Sequence, residues 1–304
     1  MASDGVARAV CEGDEDERVV EGGQQWIVRR VPVAPGLSVA VLVRDLNDDD
    51  SGLDPNFLDA DYSLEAATGN QLWEGARELV RELSRGHLGA RIAAGAPVIE
   101  LGAGTGLAGL SAAALGAHVL LTDVRAIAAG VLARNVALNA ACARSSETGG
   151  GDGAPPNGTE RARPWVDHAI ALGAGSAATL ALDWRAPTRE QLSALVLPAR
   201  LVVLAADCVW HVDLLDAFSR TAVELLGASA GATAYVASWE RATAGSTVFV
   251  PTSAVRQRFE AAGCRVTELS SDARYSCIEV SLRADGASSV GALAGAGVRD
   301  EPGP

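Results

Sequence analysis

Several features that mark particular classes of protein are scarce or missing in this sequence of 304 residues. Gly, Asp or Arg interrupts every apolar run before it reaches the roughly 20 residues that span a bilayer, so we expect no membrane segment. The N-terminus lacks a basic stretch followed by an apolar one, which argues against a secretion signal, and its acidity argues against an organelle transit peptide. We therefore expect a cytoplasmic location, with a nuclear one also open.

Positive charge and metal-ligand patterns are scarce as well. The chain has 25 basic and 38 acidic residues, and its net charge is −13. Because a nucleic-acid binder needs a dense basic face, we expect no nucleic-acid partner. The five cysteines form no C-x-x-C pair, and none of the four histidines has a His or Cys partner within a helical turn. We predict reduced cysteines and no metal site.

Apolar residues, in contrast, are abundant, at 48% of the chain, which is enough to bury a sizeable core. Three stretches have compositions that argue against packing. They are an acidic N-terminus (residues 1–24), a Gly/Pro/Ser-rich insertion (144–163) and an Ala/Gly-rich tail (284–304). We predict one domain over residues 25–283, interrupted by the insertion, and a monomer.

Strand and helix patterns alternate along that domain. Residues 26–33 and 37–43 read as a β-hairpin around Pro35-Gly36, and an amphipathic helix begins near Trp73. Short apolar strands follow, separated by helices, at 97–101, 118–123, 178–184, 200–207 and 232–238. Two last strand-like runs, CRVTEL and SCIEVSLRA, lie close together. The pattern predicts an α/β fold with a doubly wound, mostly parallel, seven-stranded sheet and an antiparallel C-terminal hairpin.

The strongest local signal is the run Glu100-Leu-Gly-Ala-Gly-Thr-Gly106, between a strand and a helix. Glycines let the backbone approach a ligand closely, and the helix N-terminus offers free N–H groups. The run also fits G-x-G-x-x-G from Gly104, so a nicotinamide or flavin enzyme remains open. Asp123 ends the next strand, where a carboxylate can accept both hydroxyls of a ribose or cap the next helix.

Two further strand ends each carry an Asp and a Trp: Leu182-Asp183-Trp184 and Ala206-Asp207-Cys208-Val209-Trp210. In a parallel sheet these ends share one edge with the glycine-rich loop. An indole can lie against a flat adenine, and a second aromatic ring can form the wall of an amine pocket. Packing is the alternative reading of each Trp.

Taken together, these motifs resemble a known family. The runs VIELGAGTGLAGLSAAALGAHVLLTD, ARNVALN, ALDW and LAADCVW resemble class I, S-adenosylmethionine-dependent, seven-strand methyltransferases, specifically the protein-lysine branch called methyltransferase-like 21 or family 16. The upstream GNQLWEGARELVREL resembles the Trp-bearing helix of that branch, and the likeness spans roughly residues 65–283. It implies S-adenosylmethionine as cofactor and S-adenosylhomocysteine as product.

The resemblance also implies roles for individual residues. Gly102, Ala103 and Gly104 would contact the amino-acid end of the cofactor, Asp123 its ribose and Trp184 its adenine. The full set of expected cofactor-binding residues is Trp73, Glu100, Gly102, Ala103, Gly104, Asp123, Asp183, Trp184 and Ala206.

Asp207 and Trp210 occupy the Asp-x-x-Tyr motif of the branch, with Trp in place of the commoner Tyr. We expect them to be the catalytic pair, with Asp207 orienting an arriving cation. The predicted function is N-methylation of lysine on a protein substrate. Two alternatives stay open: N-methylation of a small amine or heterocycle, and a cofactor-binding interaction module without catalysis.

Overall fold

The computed structural model describes residues 17–21, 24–45, 68–147, 164–243 and 245–283. An N-terminal part comprises the strands β1 (Glu17–Glu21), β2 (Gln24–Ala34) and β3 (Leu37–Arg44). Two helices follow, α1 (Glu74–Glu82) and α2 (Gly86–Ala93), and then the first half of the main domain: β4 (Pro97–Leu101), α3 (Leu107–Ala114), β5 (His118–Asp123) and a long helix. That helix consists of α4 (Arg125–Ile127), a π-helical turn (Ala128–Leu132) and α5 (Ala133–Glu147).

The second half continues the alternation. It comprises β6 (Ile170–Leu172), β7 (Gly175–Ala181), α6 (Thr188–Gln191), β8 (Val202–Ala206), α7 (Val212–Ala228), β9 (Thr233–Trp239), α8 (Thr252–Ala261), β10 (Cys264–Ser271) and β11 (Tyr275–Leu282).

The main sheet has the strand order β10-β11-β9-β8-β4-β5-β7-β6. The five central strands, in the order β9-β8-β4-β5-β7, run parallel to one another. At the edges of the sheet the pairing is antiparallel: β6 with β7, β11 with β9, and β10 with β11. The chain builds outward from β4 through β5 to β7 and then returns to the other side of β4 with β8. The order therefore reverses between β4 and β8, where α/β sheets bind ligands beyond the carboxyl ends of their strands. The predicted α/β class, parallel core and C-terminal hairpin are confirmed.

The structure differs from the prediction in two strands. The main sheet has eight strands, because the three-residue β6 pairs with β7 at its edge, and so short a strand has too few residues to show a periodic pattern. Residues Glu17–Glu21, inside the stretch predicted to be disordered, form β1 and pair with β2. Backbone pairing with β2 and partial burial of Val19 against the core form this strand, whereas Val20 on its other face is 71% exposed.

The other low-complexity stretches fall mostly outside the described residues. The predicted insertion begins inside helix α5, which extends to Glu147. Residues 1–16, 148–163 and the tail from 284 lie outside the part of the chain that the structure describes.

Two asparagines of α5 attach the N-terminal sheet to the main domain. Asn135 accepts a hydrogen bond from the Leu42 amide (2.8 Å) and donates to the Leu42 carbonyl (3.3 Å). Asn139 makes the same pair of bonds to Ala40, at 3.0 and 2.7 Å. The two side-chain amides thus continue the hydrogen-bond pattern of the free edge of β3.

The cysteines that the structure describes differ in their bonding. Cys208, Cys264 and Cys277 are free thiols, whereas Cys142 is disulfide-bonded, contrary to the expectation that all five are reduced.

One helix, Arg125–Ala143, is long and apolar enough to cross a membrane by length and composition alone. It packs against β3 and β7, and core helices of soluble proteins pass the same test.

Candidate functional site

A cleft of about 850 Å³, including its open mouth, lies at the carboxyl ends of β4, β5, β7 and β8. All eleven residues predicted from the sequence to form the site line it. They are Trp73, Glu100, Gly102, Ala103, Gly104, Asp123, Asp183, Trp184, Ala206, Asp207 and Trp210. Their individual roles toward a ligand remain predictions, but the structure brings the whole set together.

The glycine-rich loop after β4 turns through three left-handed residues. Gly102, Gly104 and Gly106 have φ values of 62°, 55° and 84°, a region that side chains with a Cβ rarely adopt. A Cβ on Gly102 would lie 2.5 Å from the Cβ of Cys208 and 3.0 Å from the Trp184 ring. The missing side chain of Gly102 therefore lets the loop pack closely against Cys208 and Trp184.

Asp123 ends β5 and faces this loop. One carboxylate oxygen accepts a hydrogen bond from the Gly104 amide and the other from the Val124 amide, both at 2.7 Å. Each oxygen keeps a second lone pair for a ligand hydroxyl. Desolvation by burial raises the pKa of Asp123 to about 6, against the opposing effect of the two amide bonds.

Glu100 lies beneath the loop, on the central strand β4. Its carboxyl group accepts a hydrogen bond from the Gly109 amide in the first turn of α3, at 2.8 Å. The residue is only 2% exposed, and burial raises its pKa to about 8. At neutral pH the protonated acid is therefore the major form. Glu100 holds the helix that follows the loop and offers little surface to a ligand.

The indole of Trp184 forms one wall of the cleft. Its ring packs edge-on against Phe218, with 5.3 Å between centroids, and its carbonyl accepts a hydrogen bond from Arg220. The indole nitrogen is buried and has no hydrogen-bond partner among the described residues. Asp183, next to it, is exposed and accepts a bond from the Arg185 amide at 2.9 Å.

Trp73 stands at the N-terminus of α1 on another side of the cleft. Its indole nitrogen donates to the Thr68 carbonyl at 3.0 Å, which fixes the ring. The guanidinium of Arg241 lies 5.0 Å from the centre of the ring, in cation–π geometry.

Asp207, directly after β8, has a carboxylate that is 1% exposed and hydrogen-bonded on both oxygens. It accepts hydrogen bonds from the amides of Gly75 (2.6 Å) and Trp239 (2.7 Å) and from Arg241 (3.1 Å). The sequence predicted that Asp207 meets the cation of a substrate. In the structure this carboxylate already pairs with a cation of the chain's own, Arg241, and the role toward a substrate stays a prediction.

Trp210 lines the cleft and is partly exposed. Its carbonyl accepts a hydrogen bond from the Val250 amide, while the Val212 amide donates to Val248. The strand-like pairing of these segments fixes the residue that occupies the motif's Tyr position.

Sequence reasoning missed Gly75 and Arg241. A Cβ on Gly75 would lie 2.6 Å from the Asp207 carboxyl carbon, so only glycine lets this carboxylate reach the helix terminus. Arg241 follows β9, whose carboxyl end lies at the same edge of the sheet as the other site loops. That position was the available signal, because the loop after β9 is equivalent to the loops considered.

In the described ranges, no group of three or more His, Cys, Asp or Glu residues could hold a metal ion. The arrangement fits an extended organic cofactor instead. The glycine-rich loop, the carboxylate of Asp123 with its free lone pairs, and Trp184, whose indole nitrogen is unpaired, line the same space.

Comparisons with known proteins give a family match and several structural likenesses. A family model described as lysine methyltransferase matches residues 53–148, which include the glycine-rich loop and Asp123. Among solved structures, magnesium protoporphyrin IX methyltransferase from Synechocystis PCC 6803, with bound S-adenosylhomocysteine, is 14% identical over 72% of this chain and 86% of that one, with a TM-score of 0.39.

Two further structures are similar at the same level. The glycopeptide N-methyltransferase MtfA, complexed with sinefungin, is 12% identical over 70% of this chain and 89% of its own, with a TM-score of 0.43. Human N-acetylserotonin methyltransferase, in complex with S-adenosylmethionine, is 10% identical over 68% and 53%, with a TM-score of 0.38. These likenesses are weak, and the fold assignment comes from the strand order. The family match over residues 53–148 agrees with the resemblance seen in the motifs, and the chain has the fold and the motif-bearing segment of an S-adenosylmethionine-dependent methyltransferase.

Proposed function

We propose that this protein transfers a methyl group from S-adenosylmethionine to the side-chain amine of a lysine on a protein substrate. The observation that carries the proposal is the cleft itself, in which the glycine-rich loop, Asp123, Trp184 and the Asp207-to-Trp210 motif line one space. The description of the matching family as lysine methyltransferase supports lysine as the acceptor.

The chain's own residues bind and orient rather than transfer protons. When bound, S-adenosylmethionine supplies a methyl group on sulfur, which an amine nitrogen takes by in-line displacement, leaving S-adenosylhomocysteine. The backbone at Gly102 and Gly104 would hold the amino-acid end, Asp123 the ribose hydroxyls and Trp184 the adenine. Placing the acceptor in line and excluding water is then the main task of the site.

The acceptor side of the cleft favours an uncharged amine. A free lysine, with a pKa near 10.4, is mostly protonated at neutral pH and cannot attack. Apolar surroundings lower the pKa of an amine, because burial disfavours the charged form. Trp210 and Leu214, which both line the cleft, supply such surroundings.

Three other functions make different predictions. A small amine or nitrogen heterocycle could lie against the flat wall of Trp210 and would be methylated as a free metabolite. An interaction module would bind the cofactor without turning it over. A nicotinamide enzyme, which the G-x-G-x-x-G spacing allows, would bind the dinucleotide instead.

The first experiment is calorimetric titration with S-adenosylmethionine, S-adenosylhomocysteine and NAD. We expect the two adenosyl compounds to bind with micromolar affinity and NAD not to bind. Gly102→Ala should abolish binding, because its Cβ would meet Cys208 and Trp184. Gly36→Ala is the matched control, since Gly36 also has a positive φ, 72°, but nothing lies within 4 Å of its Cβ position. Binding of NAD alone would overturn the proposal.

The acceptor is then identified with radiolabelled S-adenosylmethionine in a cell lysate. The sequence contains no lysine, and its 25 basic residues are all Arg, so methylation of the protein's own lysine side chains cannot produce a labelled band. A labelled protein whose hydrolysate contains methyl-lysine supports the proposal. Label found only in small molecules favours the metabolite alternative, and binding without any labelling favours the interaction module.

A further inference from the structure

A compact charged cluster borders the cleft where β8, β9 and the start of α1 meet. The Asp207 cluster consists of Asp207, Arg241 and Glu74, together with the ring of Trp73 beneath the guanidinium. Arg241 lies 3.1 Å from both carboxylates. Three elements meet here, because Asp207 also binds the amides of Gly75 at the start of α1 and Trp239 at the end of β9.

The members of the cluster differ in burial, and this decides which charges matter. The side chain of Asp207 is 1% exposed, that of Arg241 18% and that of Glu74 56%. Solvent screens the charge of Glu74 but hardly that of Asp207. The buried part of the cluster is therefore a one-to-one ion pair of Asp207 and Arg241.

Without its partner, the carboxylate of Asp207 would work against methyl transfer. A buried negative charge stabilises an ammonium ion nearby, and an ammonium ion has no lone pair with which to attack. The pocket would then hold its acceptor in the unreactive form.

We propose that Arg241 is a positioning residue that balances the charge of Asp207, so that the cleft presents a neutral, hydrogen-bonded wall to the acceptor amine. Asp207 then acts by joining α1, β8 and β9 around the cleft rather than by capturing the cation of a substrate. This inference rests on the proposed function, because it assigns the cluster to the acceptor side of that site.

The test uses two ligands that differ in charge at one atom. S-adenosylmethionine carries a sulfonium cation where S-adenosylhomocysteine has a neutral thioether. An unbalanced carboxylate at the wall of the cleft would favour the cation selectively. Arg241→Gln should therefore raise the ratio of dissociation constants, S-adenosylhomocysteine over S-adenosylmethionine, roughly tenfold. A merely structural role of Arg241 would weaken both ligands alike and leave the ratio unchanged.

Three further variants complete the test. Asp207→Asn leaves Arg241 with only the exposed, screened Glu74 as counter-charge and should lower the ratio by a similar factor, which keeps the inference testable if Arg241→Gln does not fold. The double variant Asp207→Asn/Arg241→Gln should return to within about twofold of the wild-type ratio, because both charges are gone. Glu74→Gln is the control, since it removes an exposed ion pair of the same Arg241 and should also stay within about twofold.

The outcomes separate this inference from the function on which it rests. If the wild-type protein binds neither compound, the proposed function fails. If it binds both, and neither Arg241→Gln nor Asp207→Asn moves the ratio, only the charge-balancing role is refuted. A large shift in Glu74→Gln would likewise refute the assignment to the buried pair.

Discussion

At the scale of single residues, the carboxylate of Asp123 has a structural role and a predicted ligand-binding role. Its carboxylate shapes the glycine-rich loop by accepting the Gly104 amide, and it faces the space in which a ribose would lie. Burial raises its pKa to about 6, so a fraction of the carboxyl groups is protonated just below neutral pH. Only the ionised form offers both oxygens as acceptors to hydroxyl donors.

We therefore expect cofactor affinity to depend on pH through Asp123. Affinity for S-adenosylhomocysteine should fall as pH drops from 7 to 5, by up to about tenfold, because protonation at pH 5 must be reversed on binding. Asp123→Ala should weaken binding by about 1.5 to 3 kcal/mol at pH 7 and flatten this dependence. Calorimetry at pH 5, 6 and 7 measures both effects.

Asp216→Asn is the control for this prediction, since Asp216 is exposed, pairs with Arg258 and does not line the cleft. Its affinity and pH dependence should match those of the wild-type protein. If Asp123→Ala leaves the affinity unchanged, Asp123 does not bind the ribose.

At the scale of elements, helix α5 connects the N-terminal sheet with the glycine-rich loop. Asn135 binds β3 at Leu42 and also donates to the Thr105 carbonyl in the loop, at 2.8 Å. Asn139, one turn later, binds β3 at Ala40 but makes no bond to the loop. The two residues attach the same strand, and only the first reaches the site.

This difference gives a matched pair of variants. Asn135→Ala leaves buried groups of Leu42 and Thr105 unpaired and should lower the free energy of unfolding by about 2 to 4 kcal/mol. It should also weaken cofactor binding, because the loop loses a contact. Asn139→Ala should lower stability by about 1 to 2 kcal/mol and leave affinity unchanged.

Denaturant unfolding and calorimetry on both variants test the prediction. Equal losses of affinity would show that attachment of the N-terminal sheet as a whole, and not the Thr105 bond, supports the loop. An unchanged affinity in both would show that the loop holds its shape without α5.

At the scale of the whole molecule, the sequence predicted the features that depend on residues close together in the chain. Glycine-rich turns after apolar strands, and Asp-Trp pairs at strand ends, lie within short windows, and the parallel sheet brings them to one edge. The contacts that the sequence did not reveal are long-range. Arg241 and Asp207 are 34 residues apart, and Asn135 and Leu42 are 93 apart. Their pairing depends on the strand order, which no short window contains.

The titration of Glu100 is also a property of the whole folded molecule, because its carboxyl group lies on the central strand of the sheet. Desolvation by burial raises its pKa from an ordinary value of 4.5 to about 8. The folded state thus binds this proton more tightly than the unfolded state does. The stabilising contribution is fully present below pH 4.5 and is lost as the pH rises toward 8.

Glu100→Gln should remove this dependence, because a neutral amide oxygen can still accept the Gly109 amide. The free energy of unfolding of the wild-type protein should fall relative to the variant by about 1.4 kcal/mol per pH unit between pH 6 and 8, and the difference should level off above pH 8. Urea unfolding of both proteins at pH 6, 7, 8 and 9 measures it. The other acidic groups of this highly negative chain cancel in the comparison, since the two proteins differ only at Glu100. A constant difference across that range would mean that Glu100 is already ionised at pH 6, and that the Gly109 bond outweighs its burial.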